Sequence, residues 1–145
     1  MMIQTTNPEE AKKLLKTEKS PRIIKAVNDS FNRTLLEYGK FDILLSPESG
    51  DRQDTLRGIN SGLNEILGRI ATKNKISIGL DLEELCSLQK MQKAQRLSKI
   101  RQNIKLCRKT GAKLALIGVK DKRDAKSLLL SLGASTVQIK EVLFV

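Results

Sequence analysis

Lys75-Ile76-Ser77-Ile78-Gly79-Leu80 and Lys113-Leu114-Ala115-Leu116-Ile117-Gly118-Val119 are two short apolar runs with a long polar segment between them, and that arrangement decides the fold. Runs of this length, apolar and partly β-branched, predict buried strands. Between them, from about Leu88 to Thr110, Leu97, Ile100, Ile104 and Cys107 recur at spacings of three, four and three. That period predicts a helix with a narrow core-facing stripe, and Gly111 supplies its end. A strand, a crossover helix and a second strand form a βαβ unit, the element that builds parallel sheets.

The same alternation continues on both sides. Met2 to Thr5 is a weak strand, after which Asn7 caps a helix with Pro8 in its first turn and Glu9 and Glu10 near the positive end of the dipole. That helix runs to about Thr17. Arg22 to Val27 is the next strand, Asn28-Asp29-Ser30 caps a helix ending before Gly39, and Phe41 to Leu45 is a strand broken by Ser46-Pro47-Glu48. Ser49 to Asn60 is polar and predicts a loop, with Asn60 or Ser61 capping a helix that carries Leu63, Ile66, Leu67 and Ile70. Asp121 caps a helix that stops at Gly133, and Ser135-Thr136 opens a last short one reaching about Leu143. Phe144 and Val145 follow it, apolar and expected to dock onto the core or a neighbour.

The expectation is an α/β chain of five or six βα units, one domain spanning residues 1–145. A closed eight-stranded barrel takes roughly 200 to 250 residues. The arrangement expected is therefore an abridged or open TIM-like barrel, with an open doubly wound sheet as the alternative.

Charge is the strongest functional signal. The net charge is +11, and Leu85 to Lys120 holds ten basic residues and no acid, while the remainder is nearly balanced. A solvated helix face accounts for scattered cations, but a concentration of this kind is easier to tolerate against a polyanion. Within the long helix Arg101, Lys105, Arg108 and Lys109 recur at four, three and one, which makes a single ridge beside the apolar stripe. Guanidinium groups grip phosphates in a bidentate way and lysines add point charge, so such a ridge tracks a backbone without reading bases. Arg96 and Lys99 lie on the other flank of the stripe, and Gln102 and Asn103 are expected on exposed surface as further polar contacts. Aromatic residues make up only 3% of the chain and tryptophan is absent, which disfavours single-strand recognition by base stacking.

Several function classes are excluded or disfavoured. The sequence contains no histidine, so histidine triads, histidine-bearing zinc sites and imidazole bases are excluded. The scattered glycines match no phosphate-binding loop, and no cofactor is expected. Carboxylates at presumed strand ends, Glu48, then Asp81, Glu83 and Glu84, then Asp121 and Asp124, leave a Mg²⁺-dependent phosphoesterase built on Glu48, Asp81 and Glu83 as an alternative. Capping and first-turn electrostatics account for most of the same acids. Cys86 and Cys107, without CxxC spacing, are expected to be packing residues in a reduced, cytoplasmic compartment, and no run approaches the length of a membrane span.

Several phrases, in order, resemble one family. Phe31-Asn32-Arg33 with Leu36-Glu37 precedes Phe41-Asp42-Ile43-Leu44-Leu45-Ser46-Pro47-Glu48, and Ser61-Gly62-Leu63-Asn64-Glu65-Ile66-Leu67 is followed by Ile76-Ser77-Ile78-Gly79-Leu80-Asp81-Leu82. Arg101-Gln102-Asn103-Ile104-Lys105-Leu106-Cys107-Arg108 is the most specific segment, and Lys122-Arg123-Asp124 through Leu132-Gly133 closes the series. From Phe41 to Ala134 the chain resembles ribonuclease P protein component 3, the archaeal relative of the thirty-kilodalton subunit of the eukaryotic enzyme. The resemblance implies a TIM-like barrel, not catalytic in itself, that pairs with ribonuclease P protein component 2. In that setting it helps ribonuclease P RNA remove 5′ leaders from precursor tRNA. The RNA-binding residues expected are Arg96, Lys99, Arg101, Lys105, Arg108 and Lys109, with Lys120 and Arg123 beyond the helix. A basic scaffold protein of another ribonucleoprotein, such as the ribosome, is the nearest competing reading.

Overall fold

Strand and helix alternate along the whole chain in the computed structural model, which describes residues 2–50 and 52–145. The elements run β1 (Met2–Ile3), α1 (Pro8–Leu15), β2 (Ile23–Lys25), α2 (Asp29–Tyr38), β3 (Ile43–Leu45), α3 (Glu65–Lys73) and β4 (Ser77–Asp81). After these come α4 (Leu82–Ser87), α5 (Lys90–Thr110), β5 (Leu114–Ile117), α6 (Lys122–Ser131), α7 (Thr136–Lys140) and β6 (Leu143–Phe144). The six strands form one sheet in the order β1-β2-β3-β4-β5-β6, and every neighbouring pair is parallel.

Sequential order separates the two arrangements left open by the sequence. A doubly wound sheet reverses its strand order at a switch point and carries helices on both faces. Here the order never reverses, and the sheet curls into an open, TIM-like half-barrel in which β1 and β6 are the two edges.

Alternation along the strands feeds two apolar layers. Ile24, Leu44, Ile78, Leu80, Leu114 and Leu116 face outward and pack with Leu15, Phe31, Leu35, Leu67, Ile104 and Leu129 of the helices. Fully burying each such side chain contributes about 1.5–3 kcal/mol, so this layer carries most of the stability. Ile23, Ile43, Leu45 and Ala115 face inward and form a second, smaller cluster with Met2 and Ile117. Space inside the curl is tight: a Cβ on Gly79 would lie 2.7 Å from a methyl of Ile43 and 3.2 Å from one of Leu45. The glycine in the β4 run thus admits the curvature that its neighbours require.

Local capping chemistry places most helix starts where the sequence predicts them. Asn7, Asn28 and Asp121 accept hydrogen bonds from first-turn amides of α1, α2 and α6, and Ser135 with Gln138 forms a reciprocal capping box on α7. Three expectations change. Helix α3 is capped by Asn64 instead of Asn60 or Ser61, because residues 59–63 are held alongside α5 before the helix can begin. A break at Leu88 and Gln89 divides the segment after β4 into a short α4 and the long α5. Leu143 and Phe144 form a sixth strand on β5, and Val145 continues the pairing by donating to the Leu116 carbonyl. No helix among the described residues is long and apolar enough to cross a membrane.

Candidate nucleic-acid interface

Helix α5 spans 21 residues, about 31 Å at 1.5 Å per residue, yet only Ile100, Asn103, Ile104 and Cys107 in it are buried. Gly111 terminates it in the left-handed conformation at φ 85°, its amide returning to the Cys107 carbonyl. Burial pushes the Cys107 thiol up to about 12, so this cysteine is an inert packing group. Cys86, expected to pack likewise, is exposed.

The face of α5 beside the buried stripe carries the ridge. Arg101, Lys105, Arg108 and Lys109 are all exposed. Arg101 and Lys105 have no acidic partner among the described residues; Arg108 donates to the Gly133 carbonyl at 3.3 Å; Lys109 pairs with Glu65 at 2.9 Å and stays 65% exposed. Hydrogen bonds from Lys109 and then Arg69 hold the Glu65 carboxyl below its ordinary range. Exposed pairs of this kind contribute little to stability, so Lys109 can exchange its partner at small cost.

Arg96 does not join the ridge. Its side chain is 14% exposed and turned toward the carboxyl ends of the strands, where it bridges Glu48 and Glu84 at 3.2 Å each. Lys25, at the end of β2, completes the cluster by pairing with Glu84 at 2.8 Å. The reason is desolvation: Glu48 is 1% exposed, and a buried carboxylate needs a cation that can reach it. Lys99 likewise points across the fold, donating to the Arg52 carbonyl at 2.9 Å. Gln102 and Asn103, expected on open surface, donate instead to the Ile59 and Ser61 carbonyls and so hold the 52–63 loop against α5. Lys120 and Arg123 are exposed, but they follow the carboxyl end of β5, away from the ridge on the last turns of α5.

Burial raises Glu48 above the ordinary glutamate range, despite opposing contributions from backbone hydrogen bonding, Arg96 and Lys25. Burial also opposes ionisation of Glu84, but Lys25 and Arg96 together outweigh it and leave that carboxyl below the range. The two residues therefore act on stability with opposite sign. Glu84's contribution is present above the unfolded value and is lost as pH falls through its lowered folded value; Glu48's is present below the unfolded value and is lost as pH rises through its raised one. Glu48→Gln is accordingly expected to make stability rise more steeply with pH above the ordinary value of 4.5, as read from urea midpoints across a pH series. An unchanged or shallower slope would refute this assignment.

The carboxylates of the phosphoesterase alternative are engaged separately. Glu48 is paired to Arg96, Asp81 caps α4 by accepting from the Glu84 amide at 3.1 Å, and Glu83 lies exposed in the first turn of α4. No group of three or more carboxylate and thiol side chains among the described residues is placed to hold a metal ion.

A sequentially ordered parallel half-barrel with a cationic ridge on one helix defines an open TIM-like module with an exposed basic face. In sequence, the chain is similar to ribonuclease P protein component 3 of several archaea. That protein of Methanosarcina acetivorans is 32% identical over 94 residues, covering 65% of this chain and 36% of the relative. Its counterpart in Methanosarcina mazei is 31% identical over a stretch of the same length, and that of Methanococcus maripaludis is 29% identical over 110 residues, or 74% of this chain and 44% of the relative. The chain thus spans between about a third and a half of the curated relatives it matches. No family model matches the sequence. Among solved structures, a chain in the cryo-EM structure of archaeal ribonuclease P with mature tRNA superposes with a TM-score of 0.80 at 21% identity, covering 97% of this chain and 62% of that one. That likeness establishes the fold.

Proposed function

We propose that this chain is a cytoplasmic, RNA-binding protein subunit of ribonuclease P that assists the catalytic RNA in removing 5′ leaders from precursor tRNA. The observation that carries the reading is the exposed row of Arg101, Lys105 and Arg108, in which the first two have no acidic partner among the described residues. Lys109 extends the row at its end, while Lys99, Lys120 and Arg123 contribute field at a distance and Arg96 supports the barrel mouth from within. Kinship with ribonuclease P protein component 3 supports the assignment to this particle. The partners are ribonuclease P RNA directly, ribonuclease P protein component 2 as the protein neighbour, and precursor tRNA indirectly. The chemistry belongs to the RNA, and no catalytic residue is assigned to this chain.

The test is affinity purification of the tagged, full-length chain from its native cells, followed by identification of the bound RNA. Recovery of ribonuclease P RNA together with component 2 is expected. Recovery of ribosomal RNA instead would transfer the chain to a different ribonucleoprotein and overturn the proposal.

A further inference from the structure

We infer that the α5 ridge meets base-paired RNA through its phosphates and discriminates against single strands; this rests on the RNA-binding reading above and specifies the class of RNA. Single-strand binding without sequence preference relies on aromatic side chains on which bases stack, each worth about 1–3 kcal/mol. The chain has four aromatic residues, and none is available for that purpose. Phe31 and Phe41 are each 2% exposed, inside the core. The ring of Tyr38 has the ammonium groups of Lys12 and Lys40 at 5.5 and 5.6 Å, and that of Phe144 has those of Lys122 and Lys126 at 5.3 and 5.9 Å. Both half-buried rings are thus already occupied by the chain's own cations. Neither lies on α5.

What α5 does offer suits a duplex. Arg101, Lys105 and Arg108 sit on a rigid rod anchored from beneath by Ile100, Ile104 and Cys107, so their spacing is set before any RNA arrives. A double helix presents phosphates in fixed rows at high charge density, and shape with backbone contact is how paired RNA is mostly recognised. A single strand, by contrast, must lose conformational freedom to match the same fixed row, with no stacking to offset the cost. Polar side chains that would read base edges are withdrawn: Gln102 and Asn103 are committed to the carbonyls of Ile59 and Ser61. The surface is built to accept a duplex of any sequence.

Equilibrium binding of the full chain to a mixed-sequence RNA duplex and to an unstructured oligouridine of equal nucleotide count, at one salt concentration, tests this directly. The duplex is expected to bind at least about tenfold tighter, a difference of about 1.4 kcal/mol, and this preference is expected to collapse in the Arg101→Ala/Lys105→Ala/Arg108→Ala variant. Equal or tighter binding of the single strand would overturn the inference while leaving RNA binding intact. A preference that survives in the triple variant would also overturn it, since the reader would then lie elsewhere. Failure of both RNAs to bind would overturn the inference and the RNA-binding reading together.

Discussion

Replacing Arg101, Lys105 and Arg108 together with alanine is expected to weaken RNA binding about equally across sequences and to flatten its salt dependence. Each neutralised phosphate contributes about 0.9 to the slope of log affinity against log salt, so removing three contacts should reduce the slope by between roughly two and three. The effect is separable from folding. All three side chains are exposed, and the one internal contact among them is the Arg108 bond to the Gly133 carbonyl. A circular dichroism spectrum and urea midpoint close to those of the parent are therefore expected beside the altered slope. A parent-like slope in the triple variant would remove the ridge from the interface.

The second large effect concerns stability. Arg96→Ala leaves Glu48 buried without its guanidinium partner, and breaking a buried ion pair from one side costs about 3–5 kcal/mol. For a chain of this size that is a large share of the total, so a marked drop in the urea midpoint is expected. Arg96→Met combined with Glu48→Leu removes both charges and should recover most of the loss. Equal destabilisation by the single and double replacements would show that packing, not the ion pair, is what Arg96 supplies. A single variant within about 0.5 kcal/mol of the parent would exclude both.

The contrast between these two sets of cations marks where sequence reading succeeds. Periodicity places Ile100, Ile104 and Cys107 in the core, and the ridge on the exposed side follows from them, because a helix fixes which residues share a face. Caps at Asn7, Asn28, Asp121 and Ser135 are legible because capping is local. Arg96 is different: its partner Glu48 lies 48 positions away, and nothing in the helix period says which flank faces the barrel mouth. Asn103 misleads by its polarity, although its position, three after Ile100 and four before Cys107, lies on the core stripe. That spacing is the signal that would have found it; the carbonyl of Ser61, its acceptor, comes from a loop whose path the sequence does not reveal. Strand β6 escapes for a third reason, since two residues are too few for a period and only the register against Ala115 and Leu116 defines it.

Ultraviolet cross-linking within ribonuclease P isolated from native cells, with the attached peptides mapped by mass spectrometry, tests the central claim most directly. The prediction is that ribonuclease P RNA is joined to peptides covering residues 101–109, on the outer face of α5. Cross-links confined to other surfaces of the chain, with that segment clean, would contradict it.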